Sequence, residues 1–292
     1  AYGIALTVTV GRALFRDLAA SIGAGAALSA SCDLNSLRPV EIGQNSFVYA
    51  SDGSLLGSIP AERNRQPVSL AKMAVWLPRA TVAIEDRRFY EHKGVDFEGI
   101  VRAAMKNLES KKDIQGGSTL TMQLVRNLYT GERARNGVAG YKRKIREAKL
   151  AQELEDRHPG RPGKLWIVNK YVNSVPYGTV GGQTAVGIQA AARIFFDKPA
   201  TRLTLREAAL LAGLPQAPTV YDPLRHPAAA RRRRHAVLVA LRAAGAISPA
   251  RYRVADRGSL HLHPGARYAS GGPQPFFEYA RRELIQRLGN HE

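Results

Sequence analysis

Ala80-Thr-Val-Ala-Ile-Glu-Asp-Arg-Arg-Phe-Tyr-Glu-His-Lys-Gly-Val-Asp96 is the stretch from which the rest of the chain is read. Pro78, just upstream, suits the first turn of a helix, where its missing N–H is an orphan donor in any case. A helix wound from it brings Val82, Glu85 and Phe89 to one face, three and four residues apart. A carboxylate then interrupts an apolar stripe. Burial disfavours its charged form, so such a glutamate tends to a raised pKa and suits general acid or base chemistry. A structural glutamate paired with one of the arginines that follow has the same local signature. The remainder of the chain has to decide between the two.

With 292 residues, 45% of them hydrophobic, the chain is globular and long enough for one large or two small domains. Its formal net charge of +19 and pI near 10.4 call for an anionic partner: nucleic acid, an anionic membrane surface or a phosphate-bearing substrate. A single cysteine, Cys32, excludes an intrachain disulfide and a cysteine-based zinc cluster. There is no run of about twenty uninterrupted apolar residues, so a bilayer-spanning helix is not expected.

Residues 1–45 read as a helix and an irregular, membrane-proximal connection, with 12–32 an amphipathic helix rather than a targeting remnant. Residues 46–59 alternate around Asp52-Gly53, the mark of a short β-hairpin. From Val68 helical periodicity takes over, through the 70s and 80s, the 100s, the 120s, and then from the 140s to the 200s. The four arginines Arg231 to Arg234 cover more than one helical turn and read as a solvated or snorkelling face, with anionic lipid as the alternative contact. Ser248-Pro249 marks a helix start, and Gly271-Gly-Pro-Gln-Pro275 a linker into a last helix from Phe276 to Leu288. The expected fold is mainly α, with one domain over 46–245 (hairpin 46–59, catalytic core 68–225), preceded by 1–45 and followed by C-terminal helices and a linker over 246–292.

Two further stretches carry chemistry. In Gln115-Gly-Gly-Ser-Thr-Leu-Thr-Met-Gln-Leu-Val-Arg-Asn127, Ser118 or Thr119 is an N-cap, and the helix it opens carries Gln123, Arg126 and Asn127. Glycines before a helix start let backbone N–H groups converge on an anion such as pyrophosphate. In Tyr141-Lys-Arg-Lys-Ile-Arg-Glu-Ala-Lys-Leu-Ala-Gln-Glu-Leu-Glu155, cations crowd what reads as the first helical turn, against the macrodipole. That conflict points to an anionic ligand for Arg143 and Lys144. Glu147 lies on their face, and flanking cations should hold it ionised, unlike Glu85. Two carboxylates in opposed environments beside a basic anion site suit chemistry at a glycosidic centre.

Ala83 to Asp96, Gly116 to Asn127 and Arg143-Lys-Ile-Arg-Glu147 together resemble three motifs of the peptidoglycan glycosyltransferase family (family 51), found in class A penicillin-binding proteins and monofunctional transglycosylases. Lys164-Leu-Trp-Ile-Val-Asn-Lys-Tyr-Val-Asn-Ser-Val-Pro-Tyr-Gly178 looks like the fourth motif. Gly187 to Phe196, with Leu203 to Gly213 and Ala217-Pro218, looks like the fifth. The resemblance implies a lysozyme-like, two-lobed helical domain that polymerises lipid II at the outer (periplasmic) face of a bacterial inner membrane. It implies Glu85 as the general base and Glu147 as its partner on the pyrophosphate side. It implies a substrate and pyrophosphate set of Asp86, Phe89, Arg102, Gly117, Ser118, Thr119, Gln123, Arg126, Asn127, Arg143, Lys144 and Asn173. His92 belongs with Asp86 and Phe89 to the setting of the base. No residue is expected to bind a metal; a divalent cation (Mg or Mn) assisting the pyrophosphate is the one cofactor left open. The expected partners are lipid II, the growing lipid-linked glycan strand, an anionic membrane surface and other cell-wall synthesis proteins, with no nucleic acid.

The chain departs from the family pattern at Arg126, where lysine is usual, at Met122, where glutamine is frequent, and at Asn169, where the fourth motif carries glutamate. The transpeptidase signature Ser-x-x-Lys with Lys-Thr-Gly is absent, so the expectation is a glycosyltransferase-only piece of a longer class A protein or a monofunctional enzyme with an extended tail. Two rivals stand beside it. A lysozyme-like hydrolase or lytic transglycosylase typically uses one dominant glutamate and lacks the basic site. A non-enzymatic module binding nucleic acid or an anionic surface would answer the +19 charge, but the basic residues do not interleave with aromatics.

Overall fold

The computed structural model describes residues 46–49, 51–52, 55–59, 63–100, 117–130, 137–180 and 183–265, with isolated positions between 279 and 287. Arg102, the segment 1–45 and most of the expected last helix lie outside the described residues. The chain forms two compact units, one comprising Val82–Ser174 and the other Ile42–Thr81 with Val175–Glu292. The architecture is mainly α, as expected. Among the described residues no helix is long and apolar enough to cross a membrane.

In the second unit, β1 (Ser46–Tyr49) and β2 (Leu55–Ile59) form the expected antiparallel hairpin, with Ser46 opposite Ile59. A three-stranded sheet was not expected. Strand β3 (Arg63–Arg65) runs parallel to β5 (Gln183–Val186), which is antiparallel to β4 (Pro176–Val180). Helical periodicity therefore does not extend through the late 170s and early 180s. The local chemistry explains the correction: Thr179, Val180, Thr184 and Val186 favour the pleated surface, and Gly178 holds φ at 141°, which no helix admits.

Helix α5 (Ile188–Phe196) packs on β4 and β5 with every residue buried except Gln189 and Arg193. Helix α6 (Leu205–Gly213) opens with a complete capping box between Thr204 and Glu207, and is buried from Glu207 onward. It packs along α7 (Pro227–Ala243). Gly213 sits at the crossing, where an added Cβ would lie 2.8 Å from the Arg233 side chain. Ser248 caps α8 (Pro249–Arg257) by accepting from Arg251 N–H, at the helix start expected from Ser248-Pro249.

The arginine run belongs to this packing and is only half a solvated face. Arg231 and Arg232 are exposed. Arg233 donates to the Gly213 carbonyl at 2.9 Å and lies over the Tyr221 ring. Arg234 is 2% exposed and donates to three carbonyls, those of Ser259, Asp256 and Gly258, at 2.8–3.0 Å. Arg206 takes the carbonyls of Ala255 and Val254. The last carbonyls of a helix have no partner within it, and two guanidiniums supply them here. Burial, aided by Arg206 nearby, holds the Arg234 pKa below its ordinary value.

Helix α1 (Trp76–Glu85), whose last four residues belong to the first unit, delivers the glutamate; within that unit α2 (Leu120–Val125) is buried at five of its six positions, and α3 (Gly137–Arg157) and α4 (Gly160–Val172) pack against α2. Two sequence readings change here. First, α1 ends at Glu85, so Phe89 belongs to the turns beyond the helix, where it is fully buried. Glu85 is a half-exposed helix end, not the middle of a buried stripe. Second, α3 starts at Gly137, so Lys142, Arg143 and Lys144 stand in its second turn and the macrodipole argument weakens with distance.

Replacing Arg234 with methionine strands three carbonyls at the end of α8. The variant Arg234→Met is expected to lose about 2 kcal/mol of stability in urea unfolding, whereas Arg231→Met and Arg232→Met stay within about 0.5 kcal/mol of wild type.

Candidate active site

Glu85 closes α1, and its Oε2 accepts from the Gln123 amide nitrogen at 3.0 Å. The Gln123 carbonyl oxygen accepts from the Tyr171 hydroxyl at 3.0 Å. With both ends of the amide engaged, its orientation is set and its N–H side faces the glutamate. Gln123 thus reaches Glu85 from α2 and Tyr171 from α4, joining three elements.

Asp86, the neighbour of Glu85, is buried and differently employed. Its carboxylate accepts from Leu120 N–H at 2.9 Å and meets His92 Nε2 at 2.9 and 3.1 Å. Thr119 caps α2 by accepting from Met122 N–H, and its own hydroxyl donates to the Gly94 carbonyl at 2.5 Å. The start of α2, read from the sequence as an anion site, therefore already holds an anion of the protein: the Asp86 carboxylate. Gly117 and Ser118 precede it, both half-buried. Gly94 adopts φ 70°, and a Cβ there would lie 2.6 Å from the backbone of Ala151 and Gln152 in α3. The loop 86–95 thus runs directly against that helix.

Glu147 is fully buried. Arg126 grips it bidentately, Nε to Oε1 and Nη2 to Oε2, both at 2.7 Å, and Arg143 donates to Oε1 from one turn earlier on α3. The bonds to Glu147 raise the Arg126 pKa further above its ordinary value. Hydrogen bonds thus link Glu85 to Gln123 and Tyr171, and link Arg126 and Arg143 to Glu147. Arginine at position 126 makes two parallel bonds that a lysine could not, so the substitution of the usual lysine has a structural counterpart.

Asn127 is half-buried in the π-helical turn Arg126–Thr130 that continues α2. Lys144 is exposed; of the two adjacent cations it is Arg143 that closes on Glu147. Asn173 caps the C-terminus of α4, its amide donating to the Asn169 carbonyl at 2.9 Å and side-chain oxygen at 3.3 Å. Asn169, the departure in the fourth motif, is thereby tied to its own helix end. Tyr171 was not singled out from the sequence, and neither was a second buried acid, Glu155, which accepts from Thr121 and pairs with Lys164. Glu155 lies two turns beyond Glu147 on the same helix, a spacing that marks it in retrospect. Lys164 and Tyr171 have no such local signal.

The described residues do not form a cage for a divalent ion. Both Glu147 oxygens are engaged by guanidiniums, and among the described residues no group of three or more His, Cys, Asp or Glu side chains could hold a metal.

A family model described as Transglycosylase matches residues 52–242. The chain belongs to the transglycosylase family. It is 36% identical over 251 residues to penicillin-binding protein 2D of Bacillus subtilis, covering 86% of this chain and 34% of that one. It is 41% identical over 226 residues to penicillin-binding protein 1A of Aquifex aeolicus, covering 77% and 29%. The chain therefore spans about a third of the length of these relatives. A 2.6 Å crystal structure of penicillin-binding protein 1A from Haemophilus influenzae overlays with a TM-score of 0.47 at 22% identity, covering 87% of this chain and 26% of that one. The sequence matches, not this overlay, carry the assignment. At the level of the family, the activity is glycosyl transfer in peptidoglycan synthesis, by the domain that class A penicillin-binding proteins carry.

The positive φ and close approach at Gly94 make it intolerant of a side chain. Gly94→Ala is expected to cost about 3 kcal/mol in denaturant unfolding, because the methyl meets helix backbone that cannot rotate away.

Proposed function

We propose that this domain polymerises lipid II into β-1,4-linked glycan by inverting transfer, with Glu85 as general base. The proton of the acceptor GlcNAc 4-hydroxyl passes to the Glu85 carboxylate. Its oxygen forms a bond to the anomeric carbon of the donor strand from the face opposite the leaving group. The bond from that carbon to the undecaprenyl pyrophosphate oxygen breaks with its electron pair. Arg126 and Arg143 lie on the leaving-group side, and Glu147 holds them in register, leaving one net positive charge for the developing anion.

The observation that supports this reading best is the contrast between the two carboxylates. Glu85 is half-exposed at a helix end beside a neutral amide, whereas Glu147 is enclosed and bonded to two guanidiniums. A base must reach solvent or substrate, and a buried carboxylate engaged on both oxygens cannot. Substrate and product are lipid-linked, so the site of action would be the periplasmic face of a bacterial inner membrane. The +19 charge favours contact with anionic headgroups there, next to other cell-wall synthesis proteins. Any divalent ion that takes part would arrive on the pyrophosphate, since the residues described do not form a cage for it.

Glu85→Gln keeps the hydrogen-bonding shape of the site and removes the base. With labelled lipid II, it is expected to retain the wild-type melting temperature and lose about 10²–10⁴-fold in polymerisation rate. Shortening of finished glycan by the wild-type protein, without growth from lipid II, would make it a hydrolase instead.

A further inference from the structure

Beyond the residues of the reaction itself, the first unit contains a second buried ion pair that the mechanism does not use. Lys164, in the first half of α4, has an 11% exposed side chain, and its partner Glu155 on α3 is 4% exposed. Three neighbours surround the ammonium. Glu155 Oε2 lies at 2.6 Å, the His92 main-chain carbonyl at 2.7 Å, and the Phe89 ring centroid at 4.4 Å. The other Glu155 oxygen accepts from the Thr121 hydroxyl of α2 at 2.5 Å.

Two of those three neighbours belong to the loop that follows Glu85. The His92 imidazole meets Asp86 at Nε2, while its Nδ1 is buried without a hydrogen-bond partner, so the ring has one polar tie and the residue's second is its main-chain carbonyl. That main chain is what Lys164 holds. Asp86 in turn bonds Leu120 N–H on α2, the helix whose Gln123 donates to Glu85. We propose that Lys164 is a positioning residue for the Glu85 base, fixing the loop 86–95 through the His92 carbonyl and the Phe89 ring. Glu155 is its counter-ion, the group that makes a buried ammonium tolerable at that point.

The inference rests on Glu85 being the base, and the test separates the two. Lys164→Met alone leaves the Glu155 carboxylate buried without its cation, so its melting temperature falls. The double variant Lys164→Met/Glu155→Gln removes both charges and recovers most of that loss. If Lys164 acts through the loop, the double variant still lacks the bond to His92. Its kcat on lipid II should stay about 10–100-fold below wild type while KM moves less than about threefold, the pattern of a misplaced base. Amide hydrogen exchange at residues 89–95 should be faster than in wild type.

Recovery of kcat together with melting temperature, or unchanged exchange in the loop, would show that Lys164 merely neutralises Glu155 and overturn the proposal. Failure of the wild-type protein to extend lipid II would instead remove the proposed activity, and the exchange measurement would still decide whether Lys164 holds the loop.

Discussion

Glu147 has no solvent contact and two guanidiniums, one from its own helix and one from the turn that continues α2. A carboxylate in that position is tolerable only with its partners in place, because an uncompensated buried charge costs several kcal/mol. The constraint acts on backbone as much as on charge. Arg143 is held by the spacing of one helical turn, but Arg126 can make its two parallel bonds at only one register of α2 against α3. Gln123 lies one turn before Arg126 on the same run, so the register that satisfies Glu147 also sets where the Gln123 amide meets Glu85. The buried ion pair and the half-exposed carboxylate are parts of one arrangement.

Helix α2 shows why such a constraint is needed. Six residues are far too few for a helix to persist by its own hydrogen bonds. Its apolar residues are buried, but apolar packing alone would tolerate a small slide along the axis. The polar contacts do not. Leu120 N–H on Asp86, Thr121 on Glu155, Gln123 between Glu85 and Tyr171, and Arg126 on Glu147 fix it at four successive points. Each of these bonds lies in a region where a missing partner is expensive.

What could be read from the sequence follows the range of the interaction responsible. The hairpin at 46–59, the caps at Thr119 and Ser248 and the Arg143–Glu147 pair depend on neighbours within a few residues, and each is found in the structure. The two ends of the arginine run behave differently because nothing within four residues distinguishes them. Arg231 meets solvent and Arg234 meets carbonyls more than twenty positions away. Strand β5 escaped notice for the same reason, since its two partner strands come from both sides of the helical core sequence and Gln183–Val186 is too short to announce a period. The start of α3 differs because it carries no charged or capping residue. Gly137 offers neither, and α3 simply runs four residues further back than Tyr141 suggested.

The candidate site divides along the same line. Glu85, Asp86, Gln123, Arg126, Arg143 and Glu147 announce themselves by residue type in ordered motifs, yet Tyr171, which bonds the amide beside Glu85, has no such signature. Tyr171 donates to the Gln123 oxygen, while the amide nitrogen donates to Glu85. A phenol on α4, one amide of α2 and a carboxylate at the end of α1 thus form one hydrogen-bonded line. Nothing in the spacing of the motifs encodes that line of bonds, because it depends on residues of three helices meeting.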